Sequence, residues 1–363
     1  MRVLIIGAGP TGLTAAVELA RQGLEAHVID RRDNQSTWSR AVGIIPKSLE
    51  LLEPSGVTGK LLAEATKLQR VCMYRNTTRI FDINIRPSPD KVQYGHDYIL
   101  GLAQDRTESI LADVARALGA TIDYGVELKD LYDDGRHVTA TVSTGPELAD
   151  FEYGKYDYLI GADGIKSTVR ESLGLDYPGF ELPETWSIAD VDSDDWQNAG
   201  AATICQLPKG KVAVVVPLEA ARYRVISNTE DALKALPLKL NVKTIRREGA
   251  FKIHIRQVEQ YSKGRVYLAG DAAHCHSPVG GRGMNLGIAD ACDLAERMVE
   301  GNLTGYSDAR HEEGKRVIGF SESARKTMTS SNPFTRLMVR VVLKTVQAFP
   351  TLQRRVSVQV LYG

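Results

Sequence analysis

The chain has 363 residues, 43% of them hydrophobic and 25% charged, and 45 Lys and Arg balance 45 Asp and Glu. That composition excludes a disordered chain, and a neutral balance leaves no electrostatic footprint for nucleic acid. The length exceeds what one simple core needs and suits a large dinucleotide-type unit with a smaller partner.

In chain order, residues 3–6 form a continuous apolar run, which predicts a strand buried on both faces. Only these four apolar residues precede Gly7, too few for a signal-peptide core, and no apolar run reaches the roughly 18 residues of a membrane span. A cytoplasmic location with no transmembrane segment is expected. After the glycine-rich stretch 7–12, Leu13, Ala16, Val17 and Ala20 recur at helical spacing, and Gly23 marks the helix end. A second strand over 26–29 ends at Asp30, so the chain opens on one βαβ unit.

Further on, 71–74 and 79–81 predict short strands, Pro87 and Pro89 a loop, and 107–118 a helix. The DDG at 133–135 reads as a hairpin turn before a strand at 138–142, and 156–161 reads as a further strand. From 179 to 256 the strand texture returns. There Phe251, Ile253 and Ile255 alternate with Lys252, His254 and Arg256, as on a sheet with one buried face. A buried strand at 266–269 and a helix at 285–300 follow. The reading is α/β: a Rossmann-like nucleotide-binding unit at 1–70, 101–178 and 257–330, interleaved with a substrate-side β-sheet unit at 71–100 and 179–256. Ser331-Asn332-Pro333 then starts a helical tail, 331–363, with a capping side chain and Pro in the first turn. Leu337, Val341 and Val346 stand among Arg and Lys there, which fits a helix docking its apolar face on the body or, alternatively, a membrane-surface helix.

Three stretches carry chemistry. Gly7-Ala8-Gly9-Pro10-Thr11-Gly12 is G-x-G-x-x-G between a strand and a helix. Gly7 permits the tight turn, Gly9 admits a pyrophosphate, and Gly12 lets helix and strand pack closely. The pyrophosphate would sit on the positive helix end, and Asp30 stands where a carboxylate accepts from the adenosine ribose. This motif does not separate FAD from NAD. Gly161-Ala162-Asp163-Gly164 follows a strand; read alone, Asp163-Gly164 is a turn and Ser167 a helix cap. Gly270-Asp271 ends a buried strand, and Gly280, Gly281 and Gly283 strip side chains from the loop 278–285, before a helix whose positive end aims at the same place. His274 and His276 have no carboxylate or cysteine cluster of metal-site spacing near them. Cys72, Cys205, Cys275 and Cys292 form no C-x-x-C pair, so no metal is expected.

With these stretches in order, residues 1 to about 330 resemble the single-component FAD-dependent aromatic hydroxylases, the para-hydroxybenzoate hydroxylase family. The resemblance implies FAD as cofactor. It places the pyrophosphate at Gly7, Gly9, Pro10, Thr11 and Gly12, with Asp30 and Arg31 at the adenosine. Asp163 matches the family's D-G motif and Asp271 its G-D motif, whose Asp contacts the ribitol chain. Arg40, in Ser39-Arg40-Ala41, and Gln104 match flavin-contacting positions, and Pro278, Gly281, Gly283, Met284 and Asn285 match the loop beside the isoalloxazine ring. The family uses NADH or NADPH to reduce the flavin, molecular oxygen to form a C4a-hydroperoxide, and a dry pocket in which an aromatic or polycyclic molecule is hydroxylated. His254, Arg256, Tyr74 and Tyr98 are candidates to face that substrate. Arg282 departs from the Gln or Lys expected beside the flavin. A halogenase or an isoprenoid-type reductase is the alternative on the same fold. Trp38, Trp186 and Trp196 are too dispersed for the halogenase Trp-x-Trp segment.

Overall fold

The N-terminal apolar run becomes β1 (Arg2–Ile6), the middle of a six-stranded sheet and buried from Val3 onward. The computed structural model describes all residues except 35–40, 86, 88, 93–94, 146–148 and 363. After β1, helix α1 (Pro10–Arg21) starts on a first-turn proline, and Gly23, left-handed at φ 79°, turns the chain into β2 (Glu25–Asp30). Helix α2 (Gln104–Ala117) packs beside α1. It begins three residues before the helix read from periodicity, because the polar Gln104-Asp105-Arg106 turn carries no apolar signal.

The six-stranded sheet runs Ser262–Lys263, Val266–Leu268, Tyr158–Gly161, β1, β2, Thr121–Tyr124. All neighbours are parallel except the first pair. Its register matters for function. Ile6 pairs with both Ile29 and Gly161, and Gly161 with Leu268, so four parallel strands end in one row. The three glycine-rich stretches leave from that row, the carboxyl edge where open α/β sheets bind ligands.

A second sheet of eight strands contains β3 (Gly179–Asp192), β4 (Arg222–Ser227) and β5 (Thr244–Gln257). The alternation at 251–256 is real but covers only the end of β5, whose earlier half is charged and too exposed to show a buried face. Its order is His274–Cys275, β5, β3, β4, Val212–Pro217, Ala202–Gln206, Arg70–Arg75, Thr78–Asn84. Ala202–Gln206 meets Arg70–Arg75 in parallel, the other neighbours antiparallel. The pairs Arg256–Cys275 and Gln257–His274 fasten the segment that leaves Asp271 to the edge of this sheet. The two sheets are therefore joined at the place where the glycine loops gather.

Helix α3 (Gly283–Glu300), two residues earlier than its apolar period suggests, and α4 (Tyr306–Met328) follow. The tail forms α5 (Pro333–Ala348) and α6 (Pro350–Tyr362). As the sequence predicts, Asn332 caps α5, its side chain accepting from the Phe334 N–H at 2.8 Å. Leu343 and Val346 dock on Phe81 and Ile83. The opposite apolar face of α5 remains outside. No described helix is long and apolar enough to cross a membrane.

Candidate functional site

The three motif glycines at the N-terminus divide the work. Gly7 has φ +107°, which an L side chain rarely adopts, and a Cβ there would overlap the Ala162 carbonyl. A Cβ on Gly12 would collide with the Gly7 carbonyl oxygen, so Gly12 serves the close packing of helix on strand. A Cβ on Gly9 would meet nothing within 4 Å, because Gly9 borders open space. Pro10 and Thr11 border it too, at the positive end of α1. Glycine is therefore required at 7 and 12 by the protein's own atoms, and at 9 only by what would fill the space beside it.

Asp30 is buried at the end of β2. It accepts from the Ala8 N–H at 2.7 Å and from the Arg32 backbone, Nε and Nη2 at 2.9, 2.9 and 2.8 Å. Burial opposes its charge, but the hydrogen bonds from Arg32 prevail and hold its pKa below the ordinary value. The sequence drew attention to Arg31. Arg31 does border the cavity, but the neighbour that engages Asp30 is Arg32, which also donates to the Ala8 carbonyl at 3.1 Å.

Asp163 and Asp271 border the same cavity. The Ser167 cap holds, bonding the short helix Thr168–Ser172 through the Arg170 N–H at 3.0 Å, but the turn falls at Ile165-Lys166, just after Asp163-Gly164, and Asp163 accepts from the Val169 N–H at 3.2 Å. Burial raises the Asp163 pKa against these contacts. Two residues outside the motifs tie this turn to the Gly270-Asp271 turn. Arg170 Nη1 donates to the Ala272 carbonyl at 2.9 Å, and Tyr177, 4.0 Å below the Arg170 guanidinium, donates to the Asp271 carbonyl at 2.9 Å. Beneath Gly270 lies Asp290 of α3, fully buried. It accepts from the Gly270 N–H at 2.9 Å and from Arg310 Nε at 2.7 Å, and lies 2.6 Å from His274 Nε2. His274 thus has a carboxylate partner in the core. Among the described residues, no group of three His, Cys, Asp or Glu is placed to hold a metal.

The loop 278–285 closes the far side. Pro278, Gly281, Gly283 and Met284 border the cavity at the start of α3. Asn285, grouped with them by the sequence, is a brace instead. Its Oδ1 accepts from the Ile45 N–H at 2.9 Å and Ser48 Oγ at 2.8 Å, and its Nδ2 donates to the Gly43 and Gly281 carbonyls, each at 2.8 Å. Asn285→Ala is expected to cost about 3 kcal/mol, since it strands buried backbone groups on both segments. Denaturant melts of the purified variant would check this. Arg282 turns its guanidinium toward the end of α6, donating to the Val360 carbonyl at 3.0 Å, where a helix end favours a cation. Burial, with repulsion from Arg316, lowers its pKa to about 10, so it stays charged at neutral pH. Gln104 borders the cavity at the head of α2, accepting from the Ala41 N–H at 3.2 Å and donating to Glu108 at 2.7 Å. Arg40 lies outside the described residues.

The cavity has a volume of about 580 Å³ and runs from Gly9 and Asp30 to the eight-stranded sheet, where Ile188, Ile226, Phe251 and Ile253 form an apolar floor. Of the four substrate-side candidates, His254 alone borders it, with Nε2 3.4 Å from Glu181. Arg256 is spent on the Tyr177 carbonyl at 2.8 Å. Tyr74 is buried in a separate cluster, its hydroxyl donating to Asn198 at 3.4 Å. Tyr98 pairs with His96 at 3.1 Å, outside the cavity lining. Strand alternation gives the face a residue takes, but not which stretch of that face a cavity reaches.

A family model described as "FAD binding domain" matches residues 1–235 and 228–318. The chain is 32% identical to the 6-methylpretetramide 4-monooxygenase of Streptomyces rimosus over 391 residues, covering all of this chain and 68% of that protein. Among solved structures, the OxyS anhydrotetracycline hydroxylase of Streptomyces rimosus superposes with TM-score 0.78 at 28% identity, over 99% of this chain and 75% of that one. The p-nitrophenol 4-monooxygenase of Pseudomonas putida DLL-E4 superposes with TM-score 0.89 at 23% identity, over 100% and 98% of the two chains. That last likeness speaks to the fold.

Proposed function

The chain belongs to this FAD binding domain family, as an FAD-dependent aromatic monooxygenase, and from that premise we propose that it consumes NADH or NADPH to hydroxylate an aromatic or polycyclic small molecule. The observation that carries the reading is one continuous cavity, bordered by dinucleotide-type loops at one end and by an apolar sheet face at the other. In this reading 1–70, 101–178 and 257–330 make the cofactor side, and 71–100 and 179–256 the substrate side. FAD, held there, would supply the redox chemistry, namely hydride acceptance and oxygen activation.

The chain's own residues do the rest. The space beside Gly9 takes the pyrophosphate, against the N–H groups at the start of α1. Asp30 takes the adenosine ribose. Its acceptor positions are filled by Ala8 and Arg32, so a ribose hydroxyl would have to replace one of the Arg32 contacts. Asp271 holds the ribitol chain, with Asp163 and Gln104 at the flavin's flanks. The N–H groups around Gly281 to Met284, at the positive end of α3, hold negative charge on the ring. Ile188, Ile226 and Phe251 keep water from the reacting face.

For Asp271→Ala the expectation is a folded protein with flavin affinity lowered about ten-fold, one hydrogen bond to a charged group. Ultrafiltration of the flavin-loaded variant would measure it, and an unchanged affinity would remove the ribitol role. The reaction itself is tested by mass spectrometry of a phenol panel incubated with NADH or NADPH under isotopically labelled oxygen gas. One labelled oxygen atom in the product is expected. Nicotinamide oxidation with no labelled product from any phenol would refute hydroxylation.

A further inference from the structure

Helix α5 has two apolar faces. One, with Leu343 and Val346, docks on Phe81 and Ile83. The other carries Phe334, Leu337, Met338, Val341 and Val342, at i, i+3, i+4, i+7 and i+8, and continues at Phe349 just past the helix. These six are between 46% and 69% exposed. A surface helix normally needs one apolar stripe, and a second, contiguous and outward-facing, marks an interaction surface.

Charge decides what fits it. From 331 to the end the chain has five basic residues, Arg336, Arg340, Lys344, Arg354 and Arg355, and no Asp or Glu. Because the whole chain is neutral, the remainder is net −5. Arg340 and Lys344, exposed and at i and i+4, line one flank of the stripe, whereas Arg336 lies beside the docked face and donates to the Ser330 and Leu207 carbonyls at 2.9 and 3.2 Å. Arg336 and Arg340 also stand near Arg75 of the neighbouring strand and, after its burial, help lower its pKa. A second copy of this chain, packing its stripe antiparallel about a two-fold axis, would set Arg340 and Lys344 beside their own images, with no carboxylate of the tail to offset them.

We propose that the outward face of α5 seats on an anionic lipid bilayer, with Phe334, Leu337, Met338, Val341, Val342 and Phe349 entering the acyl boundary and Arg340 and Lys344 at the headgroups. An apolar stripe flanked by Lys and Arg is the pattern of helices that lie in the plane of a membrane surface. The same helix is anchored to the eight-stranded sheet through Leu343 and Val346, so the seat fixes the body against the bilayer.

The test is co-sedimentation of the flavin-loaded full chain with vesicles of phosphatidylcholine, and with vesicles of phosphatidylcholine mixed with phosphatidylglycerol. Pelleting with the anionic vesicles, weakened by salt, is expected. Leu337→Asp combined with Val341→Asp is expected to lower it at least roughly ten-fold, with flavin content and circular dichroism unchanged. Arg340→Glu with Lys344→Glu is expected to weaken it while sparing the apolar stripe. Equal binding to neutral vesicles, no binding to either, or binding that survives the double Asp substitution would overturn the proposal. So would a concentration-dependent dimer that the double Asp substitution dissolves, in a protein that ignores vesicles. That result would make the stripe a self-association face.

Discussion

Gly9→Val is expected to yield a soluble, fully folded and colourless protein. The reasoning rests on what each motif glycine meets. A side chain at Gly9 points into open space, so the folded chain tolerates it. The pyrophosphate does not, because the valine methyls fill its seat and hold it off the N–H groups of α1. Losing two charge-assisted hydrogen bonds costs about 3 kcal/mol or more, a fall in FAD affinity on the order of 10²-fold. Gly12→Val is the control with the opposite signature. Its side chain strikes the Gly7 carbonyl and separates α1 from β1, so the protein is expected to melt early or fail to accumulate whether or not FAD is present. Thermal melts and bound-flavin content of the two variants, measured side by side, separate the roles. A yellow Gly9→Val protein with full flavin content would move the pyrophosphate elsewhere.

Asp290→Ala is expected to destabilise the fold by about 3–5 kcal/mol, the range for removing one partner of a buried ion pair. The carboxylate is fully buried and holds Arg310, His274 and the Gly270 N–H together. Without it a guanidinium is left in the core, and the turn that presents Asp271 loses its floor. The variant should therefore lose flavin as well as stability. The wild-type protein carries the same information in its acid limb. Burial acts to raise the Asp290 pKa, but attraction to His274 and Arg310 overcomes it and brings it to about 2. A carboxyl lowered on folding contributes stability that is fully present above its unfolded pKa, about 3.9, and that drains away as pH falls from there to about 2. In urea melts from pH 5 down to pH 2, Asp290→Ala should show a shallower loss of stability than wild type. Parallel acid limbs would show that Asp290 keeps no depressed pKa.

Much of the site was legible because its requirements are local. The run at 3–6, the G-x-G-x-x-G turn and Asp30 lie within one βαβ unit, so their spacing alone states their geometry. What joins the motifs is not local. Arg170 reaches Ala272 across 102 residues, and Asn285 reaches Gly43 across 242. Nothing in the spacing of an arginine or an asparagine announces such a partner. Asp290 sits in the middle of a helix with the same look as any surface carboxylate, and only its burial reveals its function. Arg31 and Arg32 are indistinguishable in sequence until the chain leaves β2 and sets Arg32 against Asp30. Tyr74 and Tyr98 lie outside the cavity lining for a related reason. A strand pattern assigns faces, whereas a cavity is bounded by several elements whose meeting is tertiary.

The most direct test is the visible spectrum of the purified chain, reconstituted with FAD, placed under anaerobic conditions with NADH or NADPH and then mixed with air and a phenol. The account predicts flavin bands that bleach with a nicotinamide and return with oxygen, faster when an accepted phenol is present, leaving a hydroxylated product. A chain that takes up no FAD, or whose bound flavin neither nicotinamide reduces in the presence of any phenol, would contradict it.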